Sequence, residues 1–229
     1  MSEDPFRVAV VVPVRDGAPW LAEAIESVLA QEHAASETIV VDDGSTDASA
    51  TVARSFGARV RVVAQPPLGA GAARNRGVAE TTSPWLAFLD ADDRWRPEKL
   101  RAQRDAIART RGAVASTGRI RQFFDPSLGR AGVPEPEVLE GTSPIAVVLR
   151  RDTFLATGGF STDPAVAESA DWWFRFASSR PVVAAVDAVV AERRLHARNA
   201  GVARPDLRRD YLRLAKAALD RRRAAGNGP

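Results

Sequence analysis

Trp85-Leu86-Ala87-Phe88-Leu89-Asp90-Ala91-Asp92-Asp93 passes without a break from five apolar residues into three carboxylates among four positions. The apolar part has the length of a strand buried on both faces, and the acidic part stands where that strand would end. Toward the N-terminus, Arg7–Val14, Thr38–Val41 and Val60–Ala64 read as three more strands. Between them the periodicity turns helical: Leu21, Ile25, Val28 and Leu29 up to Gln31, then a helix to Phe56 capped by Ser45 or Thr46 and stopped by Gly57. The Ala-rich segment Ala70–Ala79 is a third helix, and Pro97 starts a fourth that runs to about Thr110. This alternation predicts an α/β fold with a mostly parallel sheet flanked by helices, in which ligands bind beyond the carboxyl ends of the strands. Asp42-Asp43 and the Asp90–Asp93 run both fall there.

Beyond Thr110 the pattern is less regular. A strand is expected within Ala113–Phe124, a Pro/Gly-rich loop over Asp125–Gly141, a strand at Ile145–Leu149 and a short helix reaching Gly158-Gly159. Ala165–Ala177 reads as a helix, Val182–Val190 as a strand and Asp206–Arg223 as a charged helix. The expected organisation is a first, ligand-binding half (1–110), a second half of the same domain (111–204) and a basic C-terminal helix and tail (205–229).

The 229 residues are 45% hydrophobic and 27% charged, as in a globular chain with an ample core. There is no cysteine, which excludes disulfides, thiolate ligands and thiol nucleophiles. The net charge of +3 is unevenly placed: from Val190 onward eleven Lys/Arg face four Asp/Glu, so residues 1–189 carry a net of −4. Basic charge confined to the tail argues against a nucleic-acid partner, which would need a cationic face or groove. The tail helix, with Leu207, Tyr211, Leu214 and Leu219 among its arginines, is either a solvated helix docked by one face or a peripheral contact with an anionic membrane surface. Glu3 and Asp4 occupy the place of a basic signal-peptide region and no apolar run spans a bilayer, so the expected location is cytoplasmic, at most peripheral to the inner membrane face.

Each acidic motif has two readings. Asp90-Ala91-Asp92-Asp93 is either a turn capping the next helix or a divalent-ion site bridging protein oxygens to a diphosphate. It is not an EF-hand loop, because Trp95 stands where that loop needs glycine. Asp42-Asp43-Gly44-Ser45 is either a strand-to-helix turn or a carboxylate set to accept the imide N–H of uracil or thymine. Gly69-Ala70-Gly71-Ala72-Ala73-Arg74-Asn75-Arg76-Gly77 follows the third strand and has Arg74 in place of the last glycine of a dinucleotide fingerprint. It reads better as a helix entry whose N–H groups and Arg74 approach an anion, with Arg76 alternatively a surface ion-pair partner.

Four segments, Val10-Val11-Val12-Pro13-Val14, Ile39-Val40-Val41-Asp42-Asp43-Gly44-Ser45-Thr46-Asp47, Ala72-Ala73-Arg74-Asn75-Arg76-Gly77 and Phe88-Leu89-Asp90-Ala91-Asp92-Asp93, resemble in order and spacing the motifs of family 2 glycosyltransferases, inverting enzymes of GT-A fold. The resemblance covers roughly residues 6–200 and weakens after Thr110. It implies that Pro13 and Val14 pack near the base, that Asp43 recognises it, that Arg74 lies near the nucleotide and Asp90 near the ribose or sugar, and that Asp92 holds a metal. Gly158-Gly159-Phe160 is similar to an acceptor-side segment, and His196 to a late histidine that reaches metal or diphosphate; alone, His196 would read as a surface imidazole. Where the family presents a Glu-Asp pair with Asp as the base, this chain has Glu168-Ser169. Glu168 is the first candidate base and Asp171, three residues on and on the same helical face, the second. Trp172 and Trp173 point to different faces, so at most one lines an acceptor site.

The resemblance therefore implies an inverting transfer from a nucleoside-diphosphate sugar (UDP or dTDP) to a hydroxyl acceptor, with Mn²⁺ or Mg²⁺ held by Asp92 and His196. Two alternatives stand beside it: a weakly active or inactive nucleotide-sugar-binding partner, which the Ser169 position suggests, and a nucleotidyltransferase. The latter needs its glycine-rich loop after the first strand, where Arg15-Asp16-Gly17-Ala18-Pro19 stands.

Overall fold

The computed structural model describes residues 5–125, 136–163 and 167–196. Strands β1 (Val8–Val14), β2 (Glu37–Asp42), β3 (Arg61–Ala64) and β4 (Trp85–Phe88) alternate with helices α1 (Ala18–Leu29), α2 (Ser49–Ser55) and α3 (Ala70–Ala79). β5 (Arg94–Trp95), α4 (Lys99–Arg109), β6 (Ala115–Phe124), β7 (Val138–Leu139), β8 (Val147–Arg150), α5 (Arg151–Ala156), α6 (Glu168–Ser178) and β9 (Val183–Leu195) follow. All share one sheet in the order β3-β2-β1-β4-β8-β6-β9-β5, with β7 paired to β6. β3, β2, β1 and β4 are mutually parallel; β8 runs antiparallel to β4 and β6, while β9 runs parallel to β6. Strands from both halves of the chain thus belong to one sheet.

β1 is buried at every position and lies between β2 and β4. Its pleat sends Val8, Val10, Val12 and Val14 into one core layer with Leu21, Ile25, Val28 and Leu100. Ala9 and Val11 face the other layer, with Ala73, Phe88, Phe154, Phe160, Trp172 and Phe176. A strand apolar on both faces leaves no place for polar chemistry within the sheet, so the chain's polar groups collect beyond its carboxyl edge. From β1 the order proceeds outward through β2 and β3 and then returns to β4 on the opposite side. The crevice at this reversal, beyond β1 and β4, is where open α/β sheets bind ligands.

The α/β class stands, and the elements differ from expectation at their edges. The helix after β2 begins at Ser49, not beside a Ser45 or Thr46 cap; the Asp47 carboxylate accepts the Ser49 N–H at 2.8 Å instead. Ile145 falls in a short 3₁₀ turn, Pro144–Ala146, before β8. β9 continues past Val190 to Leu195 because it pairs with β6 along its whole length, across an irregularity between Gly118 and Ile120. β5 and β7 went unseen as two-residue strands, too short for any periodicity. The Asp206–Arg223 helix and the membrane contact suggested for it lie outside the described residues. Among the described residues, no helix is long and apolar enough to cross a membrane.

Lys99, at the start of α4, is fully buried, with Nζ 2.6 Å from Gln103 Oε1 and 4.8 Å from the Trp95 ring centroid. Burial pushes its ammonium well below the usual 10.5. The unfolded chain therefore binds more protons than the folded chain between that depressed value and 10.5, so stability rises with pH through this interval. Lys99→Met is expected to flatten that rise and to stabilise the protein at neutral pH by about 1 kcal/mol or more. Thermal melts from neutral to alkaline pH test it.

Candidate functional site

A cleft of about 530 Å³ opens beyond the carboxyl ends of β1, β2 and β4. Pro13, Val14, Asp43, Arg74, Asp90, Asp92, Glu168 and His196 all line it, although they are scattered along the chain. Asp171 is not among the lining residues: its carboxylate lies one helical turn from Arg175 and pairs with it at 2.8 Å. Trp172 is buried in the core among Phe154, Phe160 and Phe176, and Trp173 packs partly buried against the same layer. Neither tryptophan lines the cleft.

The cleft crowds carboxylates, and each is answered by a donor: a backbone N–H, a guanidinium or an imidazole. Asp43 is buried; its Oδ1 accepts Gln65 Nε2 at 2.7 Å and Leu68 N at 2.8 Å, and its Oδ2 accepts Gly69 N at 2.8 Å. It thus holds the loop that leads into α3, while Asp42 makes the local turn by accepting Ser45 N at 2.9 Å. Asp16, whose backbone has φ 52°, accepts the Thr46 N–H at 2.7 Å and the Thr46 hydroxyl at 3.0 Å, and these bonds hold its pKa below the ordinary value. Asp93 is buried and accepts Arg194 N at 2.8 Å; burial, then the Asp92 and Asp90 charges, push its carboxyl well above the usual range.

Arg74, only 3% exposed, joins the two halves of the cleft. Its Nη2 donates to Asp90 Oδ1 at 2.5 Å and its Nη1 to Glu168 Oε1 at 3.0 Å, and its guanidinium lies 5.3 Å from the Phe160 ring centroid. Burial alone would lower the guanidinium pKa, but the Asp90 and Glu168 charges outweigh it and raise the value. Arg74 is therefore committed to protein carboxylates. Arg76, by contrast, pairs with Glu80 at 2.7 Å on the helix surface.

The glycine-rich entry to α3 lines the cleft at Gly69 and Ala70 and packs closely at Gly71. A Cβ on Gly71 would stand 2.3 Å from the Ser161 carbonyl oxygen and 3.2 Å from Glu168 Cγ, so only glycine lets this turn approach the α6 side. The Gly158-Gly159-Phe160 segment is clamped by Asn75, whose Oδ1 accepts Phe160 N at 2.9 Å while its Nδ2 donates to Phe160 O at 2.8 Å. Arg175 donates to the Gly159 carbonyl at 2.6 Å from the other side. Residues of α3 and α6 thus fix the Gly158-Gly159-Phe160 segment together.

At the opposite end, Asp92 Oδ2 and His196 Nε2 lie 3.0 Å apart. Antiparallel pairing of Arg94 with Glu192 and Trp95 with Ala191 brings the acidic loop alongside the end of β9. Arg194 secures the loop through its Nε, which donates to the Asp92 carbonyl at 2.9 Å. One carboxylate and one imidazole suit a divalent ion that completes its shell with phosphate and water oxygens. No cluster of three or more ligating side chains occurs among the described residues. Arg15, Trp20 and Arg193 also line the cleft. Sequence reading missed all three, because nothing in their spacing distinguishes them from a surface loop, an amphipathic helix and a strand.

Residues 9–152 match the family model described as glycosyl transferase family 2. An uncharacterized glycosyltransferase of Nostoc is 40% identical over 99 residues, covering 42% of this chain and 31% of that protein. The succinoglycan biosynthesis protein ExoO of Rhizobium meliloti is 45% identical over 96 residues, covering 41% of this chain and 28% of its own length. The chain thus spans less than a third of these curated relatives. Among solved structures, residues 1–349 of S. aureus TarS superpose with a TM-score of 0.68 at 18% identity, covering 82% of this chain and 60% of that fragment, and support a GT-A-like fold. TarS has also been crystallised in complex with UDP and with UDP-GlcNAc.

Arg74→Ala would leave the part-exposed Asp90 and Glu168 carboxylates facing one another without their shared donor. The expected cost is about 1–3 kcal/mol, read from the midpoint of urea unfolding, and Arg74→Lys should recover only part of it because an ammonium lacks the two-armed geometry.

Proposed function

The chain belongs to glycosyl transferase family 2, and on that premise we propose that its cleft transfers a sugar from a nucleoside-diphosphate sugar, UDP- or dTDP-linked, to a hydroxyl acceptor with inversion. The observation that carries this reading is the convergence of Pro13, Val14, Asp43, Asp90, Asp92, Glu168 and His196 on one cleft at the reversal of strand order. The UDP and UDP-GlcNAc complexes of TarS, a protein of similar fold, support the donor class.

In this reading the base lies against Pro13 and Val14, near Asp43. One Asp43 oxygen already carries two donors and the other carries one, which leaves the second oxygen able to accept an imide N–H. Asp90 faces the ribose or sugar, its free oxygen turned away from Arg74. Asp92 and His196 would hold Mn²⁺ or Mg²⁺, which when bound neutralises charge on the departing diphosphate. Arg15 and Arg193, which enter no ion pair among the described residues, add positive charge at the cleft wall. Glu168 receives the acceptor proton as the acceptor oxygen bonds to the anomeric carbon and the diphosphate leaves with the electrons of the broken C–O bond. Its carboxylate stands in the first turn of α6, within reach of the cleft, and accepts a hydrogen bond from Arg74. Cytoplasmic action, and any membrane contact, belong to the same proposal.

A second reading is favoured by Ser169, which stands where the family's base is expected and cannot itself take a proton at neutral pH. There the chain binds the donor without turning it over, as a partner subunit.

A panel of nucleotide sugars assayed with and without Mn²⁺ separates the two. Metal-dependent release of nucleoside diphosphate supports transfer, and binding without release supports the partner reading. Glu168→Gln should lower kcat at least about tenfold with donor KM little changed. Asp171→Asn, whose target pairs with Arg175, should have a smaller effect, and full activity in both variants would overturn the base assignment.

A further inference from the structure

Trp20 occupies the first turns of α1, is 8% exposed and lines the cleft, yet it carries no part of the chemistry set out above. Its indole lies nearly parallel to the His196 imidazole, with ring centroids 4.3 Å apart and an interplanar angle of 17°. Its Nε1–H donates to Asp125 Oδ2 at 2.7 Å, a strong contact between two buried groups. Asp125 Oδ2 also accepts Arg194 Nη1 at 3.3 Å, and Arg194 in turn donates to the Asp92 carbonyl and the Asp93 carboxylate. The contacts therefore close a ring: Asp92 to His196, His196 to Trp20, Trp20 to Asp125, Asp125 to Arg194, and Arg194 back to the Asp92 peptide.

An imidazole at the end of a strand retains rotation about both side-chain torsions unless something fixes its plane. One face of His196 is covered by the indole, and the indole is held by Asp125, so α1 and the end of β6 bear directly on the direction of Nε2. We propose that Trp20 is a positioning residue that holds His196 Nε2 against Asp92, and so tunes affinity at the diphosphate end of the donor while leaving the base end alone. The proposal rests on the donor reading given above. Groups that orient a metal-binding histidine typically change metal affinity or activity about 10- to 100-fold when removed.

The chain has two histidines, so the imidazole signals of His196 can be told from those of His33 by NMR. In the wild type the His196 ring protons should be shifted upfield by the indole ring current and broadened by substoichiometric Mn²⁺. Trp20→Leu should abolish the upfield shift, reduce the Mn²⁺ broadening, and weaken UDP affinity in the presence of Mn²⁺ at least about tenfold with uridine affinity unchanged. Trp20→Phe keeps a ring to stack and loses only the Asp125 bond; it should retain most of the shift and most of the UDP affinity. Equal loss of UDP and uridine binding, or unchanged Mn²⁺ broadening in Trp20→Leu, overturns the proposal. A wild type that binds no UDP would overturn the donor reading instead, and the Mn²⁺ broadening would still decide the role of Trp20.

Discussion

Crowding of like charge at the carboxyl edge of the sheet is the constraint from which the rest of this structure follows. Asp16, Asp43, Asp90, Asp92, Asp93 and Glu168 line one cleft, and carboxylates so close together stay compact only if each is given a donor. The chain supplies those donors from every direction: peptide N–H groups for Asp16 and Asp43, a backbone N–H of β9 for Asp93, an imidazole for Asp92 and one buried guanidinium for both Asp90 and Glu168. The consequence is architectural. To bring these donors in, α3 must press against the start of α6, and β9 must reach past β5 to the acidic loop. Gly71, Asn75 and Arg94 are the residues that make those approaches possible.

The balance at Arg74 shows how a single cation can serve structure and chemistry together. A guanidinium pays a desolvation penalty when buried, and here two carboxylates from opposite halves of the chain offset it. The same two contacts hold Asp90 and Glu168 at a fixed spacing across the cleft, so its two walls are held by one planar group. A lysine could neutralise one of them but could not span both.

Much of this was legible in the sequence, and the parts that were not share a cause. Strands β1, β2 and β4 announce themselves as unbroken apolar runs, and Asp43, Asp90 and Asp92 follow them directly, so local pattern suffices. The pairing of Arg94-Trp95 with Ala191-Glu192 leaves no local pattern, because its hydrogen bonds join segments far apart in the chain. That pairing places His196, whose own neighbours in sequence suggest only a surface residue. The glycines before Arg74 were visible, but the long-range contact of one was not: Gly71 makes room for the Ser161 carbonyl and the Glu168 side chain. Asp171 shares a helix with Glu168, yet the Arg175 side chain one turn along draws its carboxylate away from the cleft.

The register of β6 against β9 runs from Ala115–Val183 to Phe124–Leu195, so each rung joins residues separated by most of the second half of the chain. Rungs of that kind form slowly, because the loop between them must be closed before any contact is gained. The β1–β2 and β2–β3 pairings of the first half close much shorter loops and can assemble first, with Asp16 and Asp43 already in place beyond β1 and β2. His196 and the β9 donor to Asp93 arrive only with β9, whose pairing with β5 closes a longer loop still. During synthesis and refolding, then, the acidic edge stands exposed and self-repelling until the C-terminal strand docks, and completion of the cleft coincides with completion of the fold.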